Sequence, residues 1–128
     1  FYHHEVFRWK PAMVEAKGGA RKQAVEFVEA MVADGNTNIY DALKLAFTYA
    51  GMGARDKHYD IGADTIFFLS DGQPNRGAVT ATAAILAEVA RWNELKRVKI
   101  HAVGVGKDHD AAFMRSLAES SGGTYVNR

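Results

Sequence analysis

Asp64-Thr65-Ile66-Phe67-Phe68-Leu69-Ser70-Asp71-Gly72-Gln73-Pro74 is the stretch on which the fold turns. Its first half is apolar at consecutive positions, so an extended segment would be greasy on both faces. Strands of that kind lie inside parallel sheets with helices packed on either side. The second half stops the strand, because Asp71 to Gly77 is a run of turn-forming residues. A carboxylate, Asp71, thus stands directly at the carboxyl end of a buried strand, where open α/β sheets bind their ligands.

Outward from this stretch the apolar period alternates between helix and strand. Ala24, Val25, Phe27, Val28, Met31 and Val32 recur at helical spacing between Arg21 and Ala33, and Asp34-Gly35 ends the pattern. A second helix is predicted from about Ile39 to Ala50, with Ile39, Ala42, Leu43, Ala46 and Ala50 on one face. Asn38 is its cap, and Gly51 and Gly53 its stop. Gly51 to Gly62 reads as a polar surface loop. Past Pro74, a helix is expected from about Ala78 to Leu95, burying Ile85, Leu86, Val89 and Trp92. A strand at Val98–Val105, a helix at Ala111–Glu119 stopped by Gly122-Gly123, and a last strand starting at Thr124-Tyr125-Val126 complete the series. Near the start, Glu5 to Trp9 is a short strand candidate closed by Pro11. Strands alternating with helices imply an α/β fold with a mostly parallel sheet.

The chain has 128 residues, enough for one domain spanning residues 1–128. Hydrophobic residues make up 48% and charged residues 24%, which excludes a disordered chain unable to offset its ordering entropy. Sixteen Lys and Arg against fifteen Asp and Glu leave a net charge of +1, and the basic residues divide evenly between the two halves. No nucleic-acid partner is expected, since phosphate neutralisation needs clustered positive charge. Without cysteine the chain has no disulfide, thiolate metal site or Cys nucleophile. Its longest apolar run, Thr65 to Leu69, falls far short of the roughly 18 residues of a membrane span. Phe1 opens in mid-pattern, so a fragment or processed product is expected.

Two residues stand out as possible oxygen ligands for a hard cation. Asp71 either initiates its turn through its own backbone hydrogen bonds or presents its carboxylate at the sheet rim. Thr37, in Gly35-Asn36-Thr37-Asn38 before the second helix, is either a capping residue or a second donor. Mg²⁺ keeps several waters at about 2.0–2.1 Å, so few protein ligands suffice. Ser70, Gly72, Asn36 and Asn38 would shape the loops around the pair. Arg76 either lines the binding face or is solvated. Other motifs fail. Gly104-Val105-Gly106-Lys107 has His101 where a phosphate loop needs Gly and Asp108 where it needs Ser or Thr. Its glycines are expected to let a helix pack closely. None of His3, His4, His58, His101 and His109 falls in a ligand pattern, and His101 is expected as a hydrogen-bonded core or interlayer residue. No Ser sits in a nucleophile elbow, so acyl transfer has no support.

Three segments together carry a family resemblance. Gly35-Asn36-Thr37, followed by Ala42-Leu43, resembles the Gly-x-Thr-x-x-x-x-Ala-Leu segment of von Willebrand factor type A (VWA) domains. Phe68-Leu69-Ser70-Asp71-Gly72-Gln73-Pro74 is similar to that family's strand-end Asp-Gly-x-Pro motif. Ile100 to Gly106, with Leu117-Ala118 and Gly122-Gly123-Thr124-Tyr125, resembles its closing strand–helix–strand unit. The resemblance implies a three-layer αβα, Rossmann-like, mostly parallel sheet with helices on both faces. It also implies a non-enzymatic adhesion-type module for protein recognition, with an extracytoplasmic or cell-surface setting favoured. In that family the matching Thr and Asp help hold a divalent cation, Mg²⁺ or else Mn²⁺ or Ca²⁺, whose open position accepts an acidic side chain from a partner protein. Thr37 and Asp71 are therefore the expected metal residues.

The family's primary metal motif, Asp-x-Ser-x-Ser, occurs nowhere in this sequence. The chain then corresponds to the carboxyl-terminal portion of the full domain, with only part of the adhesion site. Two consequences are expected. The Thr65–Ser70 strand would lack a neighbour, expose Ile66, Phe67, Phe68 and Leu69, and invite self-association. One carboxylate and one hydroxyl would hold Mg²⁺ no better than millimolar, about −4 kcal/mol. The alternative function is a Mg²⁺-dependent phosphoryl-transfer or phosphoacceptor domain using Asp71, which needs neighbouring acids and a strand-end lysine such as Lys107.

Overall fold

The computed structural model describes residues 1–32, 35–50 and 62–128. Nearly all of the loop expected at Gly51–Gly62 lies outside them, as does Asp34 of the first helix's stop. Among the described residues no helix is long and apolar enough to cross a membrane.

The decisive stretch forms strand β1, Thr65–Ser70. It pairs in parallel with β2, Lys99–Gly104, in the register Thr65↔Lys99 to Ser70↔Gly104. β2 pairs in parallel with β3, Tyr125–Asn127, giving the order β1-β2-β3. Among the described residues four helices accompany the sheet: α1 Gly19–Glu29, α2 Ile39–Tyr49, α3 Thr82–Asn93 and α4 Ala111–Glu119. Each parallel crossover carries one helix, α3 between β1 and β2 and α4 between β2 and β3, as parallel pairing requires.

Burial alternates along the strands. Phe68, Ile100 and Ala102 point to one side and are shut off from solvent. There α4 packs on β2 and β3 through Phe113, Met114, Leu117 and Ala118, and α3 bridges α4 to α2. Ile39, Leu43 and Phe47 of α2 complete this core, with Trp92 against the rings of Tyr40 and Phe47. Burial of each large apolar side chain contributes about 1.5–3 kcal/mol, so this one cluster dominates the stability. On the opposite side of β1, Phe67 is 71% exposed and Leu69 56%. The sequence reading made all of Ile66 to Leu69 open. Instead the pleat buries Phe68 and half-buries Ile66, leaving only the alternate pair in solvent.

Three local expectations shift. Residues 5–9 form no strand; an isolated antiparallel bridge joins Tyr2 to Val6 instead. The helix expected from Ala78 starts only at Thr82, because the backbone is still extended at Ala81. α1 forms but ends at Glu29, so Met31 and Val32 of the predicted stripe fall beyond it, and no residue of it is buried. Asn38 caps α2 as expected, its side chain accepting from the Asp41 N–H at 3.2 Å, a contact worth about 1 kcal/mol.

Candidate functional site

The carboxyl ends of β1 and β2 form a rim, and the loop before α2 folds down onto it. Asn75 makes this happen. Its side-chain oxygen accepts from the Thr37 N–H at 2.8 Å, and its own N–H donates to the Thr37 carbonyl at 3.1 Å. This reciprocal pair clamps the Thr37 loop to the Asp71–Gly77 turn. A further tie runs from Arg76 Nε to Asn36 Oδ1 at 3.3 Å.

Thr37 is buried, and its hydroxyl lies 2.8 Å from where a Cβ on Gly72 would stand. Only a glycine after Asp71 lets the hydroxyl sit there. The loops that carry Thr37 and Asp71 therefore meet at the same rim. Both line one groove of about 1390 Å³ that runs along the open edge of β1. Asp71 is exposed, whereas Ser70 is buried and its hydroxyl donates to the Gly72 carbonyl at 3.3 Å. Asn38 is buried as well, and its amide donates to Asp41 Oδ2 at 2.8 Å and to the His4 carbonyl at 3.3 Å.

Sequence reasoning missed Tyr2. Its ring stacks on Phe68 with centroids 5.7 Å apart, and its hydroxyl donates to the Leu69 carbonyl at 2.8 Å. Burial pushes the phenol well above its ordinary value. A hydrogen bond with Ser70 pulls it partly back, and the Asp71 carboxylate pushes it up again. Tyr2 thus reaches the rim beside both residues. Nothing in the first nine residues marks it, because the segment has no clear periodicity. Asn75 was hidden among turn formers that all suit such a loop.

The phenol makes stability depend on alkaline pH. A folded-state value raised above the unfolded value of about 10 adds stability that is whole below pH 10 and is lost as pH rises beyond it. Urea titrations between about pH 9 and 11 should show a steeper decline for the native chain than for Tyr2→Phe. Equal slopes would mean that the phenol is solvated.

The strand–loop–helix order, the parallel sheet and this rim decide the comparison with known proteins. The sequence profile of the von Willebrand factor type A domain matches residues 3–127. The chain belongs to the von Willebrand factor type A family. It is 30% identical to the human von Willebrand factor A domain-containing protein 3A over 119 residues, 91% of this chain and 9% of that protein. With the human inter-alpha-trypsin inhibitor heavy chain H4 it shares 28% identity over 120 residues, 93% of this chain and 13% of the relative. The chain thus spans about a tenth of the length of these two relatives. Among solved structures, a von Willebrand factor type A protein from Catenulispora acidiphila superposes with a TM-score of 0.70 at 22% identity. The match covers 91% of this chain and 25% of that one. The fold is accordingly the three-layer α/β, Rossmann-like class.

The donor set of this VWA domain is small. Among the described residues no three His, Cys, Asp or Glu side chains gather in a way that could hold a metal ion. Thr37 and Asp71 would offer one hydroxyl and one carboxylate, part of an octahedral oxygen shell with most positions left to water. The same sparseness bears on phosphoryl transfer, which needs further acids around Asp71. Lys107 is exposed in the loop after β2.

Proposed function

We propose that this VWA domain is a protein-recognition module whose binding surface is the rim around Thr37 and Asp71. On this reading an incoming acidic side chain is captured through a divalent cation, Mg²⁺ or else Mn²⁺ or Ca²⁺. Thr37 supplies a hydroxyl ligand and Asp71 a negative carboxylate. Asn36, Asn38, Ser70, Gly72 and Arg76 shape the surrounding loops, and the guanidinium of Arg76 favours an acidic partner. The bound cation would supply an exchangeable coordination position, and no covalent bond need form or break.

The observation that carries the reading is the seating of the Thr37 hydroxyl against Gly72, directly after Asp71 and pinned by Asn75. Two loops distant in sequence are held together there at a cost in conformational freedom, where a simple turn would need neither. As only part of a ligand shell is at hand, the chain itself should bind the cation weakly. Titration calorimetry with Mn²⁺ should give a Kd of about 1 mM or weaker, near −4 kcal/mol, and Asp71→Ala should abolish the signal. Gly72→Ala should weaken binding and also cost about 1–2 kcal/mol of stability, because its methyl displaces the buried Thr37 hydroxyl. Identical isotherms for the native chain and Asp71→Ala would remove the rim from consideration.

A further inference from the structure

We propose that Arg76 sets the specificity of the rim by taking a second carboxylate from the partner, so that the domain prefers an extended segment with two acidic residues separated by one other. The inference rests on the reading above, in which the rim captures a first acidic side chain.

The backbone fixes where Arg76 stands. Asn75, just before it, is bound to Thr37 through both its side chain and its N–H, at 2.8 and 3.1 Å. Gly77, just after it, has a φ of 104° and sits so close to Asn38 that a Cβ there would run into the Asn38 side-chain oxygen. Arg76 is therefore pinned on both sides against the loop that leads into α2. Its side chain is tethered to the same loop, since Nε donates to Asn36 Oδ1 at 3.3 Å.

What stays open is the far end of the guanidinium. Of its five N–H groups one goes to Asn36. The other four make no hydrogen bond or ion pair among the described residues. Asp41, the acid beside Gly77, is engaged by the Asn38 amide at 2.8 Å instead. Arginines on the helices are compensated within their own element: Arg91 pairs with Glu88 at 2.6 Å and Arg115 with Glu119 at 4.0 Å. Arg76 is exposed and has no such neighbour. Held through Nε, its guanidinium keeps the two terminal nitrogens side by side, the arrangement that takes a carboxylate bidentately.

The spacing names the partner. Asn36 and Thr37 are adjacent, so groups held at these two points lie on the order of 7–10 Å apart. In an extended peptide, side chains at i and i+2 share a face at roughly 6.6–6.8 Å, whereas immediate neighbours point to opposite faces. Two acids flanking one residue fit both points at once. A single acid engages only one of them.

Peptides with both ends blocked, so that no terminal carboxylate competes, compare two acids with one. Gly-Asp-Ala-Asp-Gly, Gly-Asp-Ala-Asn-Gly and Gly-Asn-Ala-Asp-Gly are titrated into the chain in excess Mg²⁺, followed by the amide shifts of Asn36 and Gly72. The native chain should bind the diacid about fivefold more tightly than either single acid, the upper range for an exposed pair. Arg76→Gln should bring that ratio to about one, and Arg76→Lys, charged but without the fork, to no more than about two. Equal affinities in the native chain overturn the proposal, as does a preference that survives Arg76→Gln. A preference lost with Arg76→Gln, in peptides that bind as well without Mg²⁺ or to Asp71→Ala, overturns the cation reading alone and keeps Arg76 in its role. No binding of any peptide removes both.

Discussion

Gly123→Ala is expected to lower stability by about 3 kcal/mol or more, a large part of the 5–15 kcal/mol that holds a domain of this size together. A Cβ at Gly123 would run into the main-chain carbonyl of Ile100, with the His101 nitrogen close behind. Neither can step aside. Ile100 is wholly buried in the middle strand, and its N–H is held by the Ser121 hydroxyl at 2.9 Å. Two residues on, Ala102 donates to the Thr124 carbonyl at 2.9 Å. The methyl would pry β3 from β2 at its entry and pull at the end of α4. Overpacking against a side chain can relax by a rotamer change, but overpacking against the main chain of β2 moves backbone. Urea denaturation followed by circular dichroism measures the effect. Gly19→Ala is the control, a helical position with open space around it, where alanine should be neutral or stabilising by up to about 1 kcal/mol. A Gly123→Ala midpoint matching the native one would mean that the β2–β3 contact is looser than described.

That glycine shows what the sequence could and could not reveal. Gly122-Gly123 was legible as a helix stop because stopping a helix is a local matter. The close approach to Ile100 is not local, since it joins residues on two elements. The same division runs through the chain. β1, α2 and α4 follow their apolar periods almost residue for residue, because each is packed against the core that made it periodic. α3 begins four residues late, because the backbone is still extended at Ala81, and residues 5–9 have no neighbour strand to join. α1 is the instructive case. Its amphipathic pattern predicted a buried stripe, yet the helix forms without burying any residue. Periodicity reports that a face is meant to be covered and says nothing of what covers it.

The rim was legible in its chemistry more than in its construction. Asp71 and Thr37 carry motif-level signals, a carboxylate ending a buried strand and a hydroxyl before a capped helix. What holds them together does not. Asn75 acts through one side-chain and one backbone hydrogen bond, and Tyr2 through a ring stack with a residue 66 positions away. Neither leaves a spacing to recognise. Gly104 was read as a glycine admitting a helix, but the group it admits is an imidazole.

That imidazole supports the second large effect. His109 is buried, and its Nε2 shares a hydrogen bond of 2.6 Å with the Tyr125 hydroxyl. Any Cβ on Gly104 would collide with the ring. Gly104→Ala should therefore expel His109, break its bond to β3, and cost about 2–4 kcal/mol. Gly104 pairs with Ser70 across the sheet, so the damage reaches the strand end that carries Asp71. His109→Ala alone should cost less, about 1–3 kcal/mol, because the Nδ1 atom it removes has no hydrogen-bond partner to leave behind. The double variant decides between steric and conformational causes. If the clash with the ring is what harms Gly104→Ala, then removing the ring restores room for the methyl, and the double variant should be no worse than His109→Ala. The coupling would be favourable by about 2 kcal/mol, well beyond additivity for independent sites. Additive losses would instead place the fault in the backbone of β2, and the packing of His109 over Gly104 would lose its role in holding the rim.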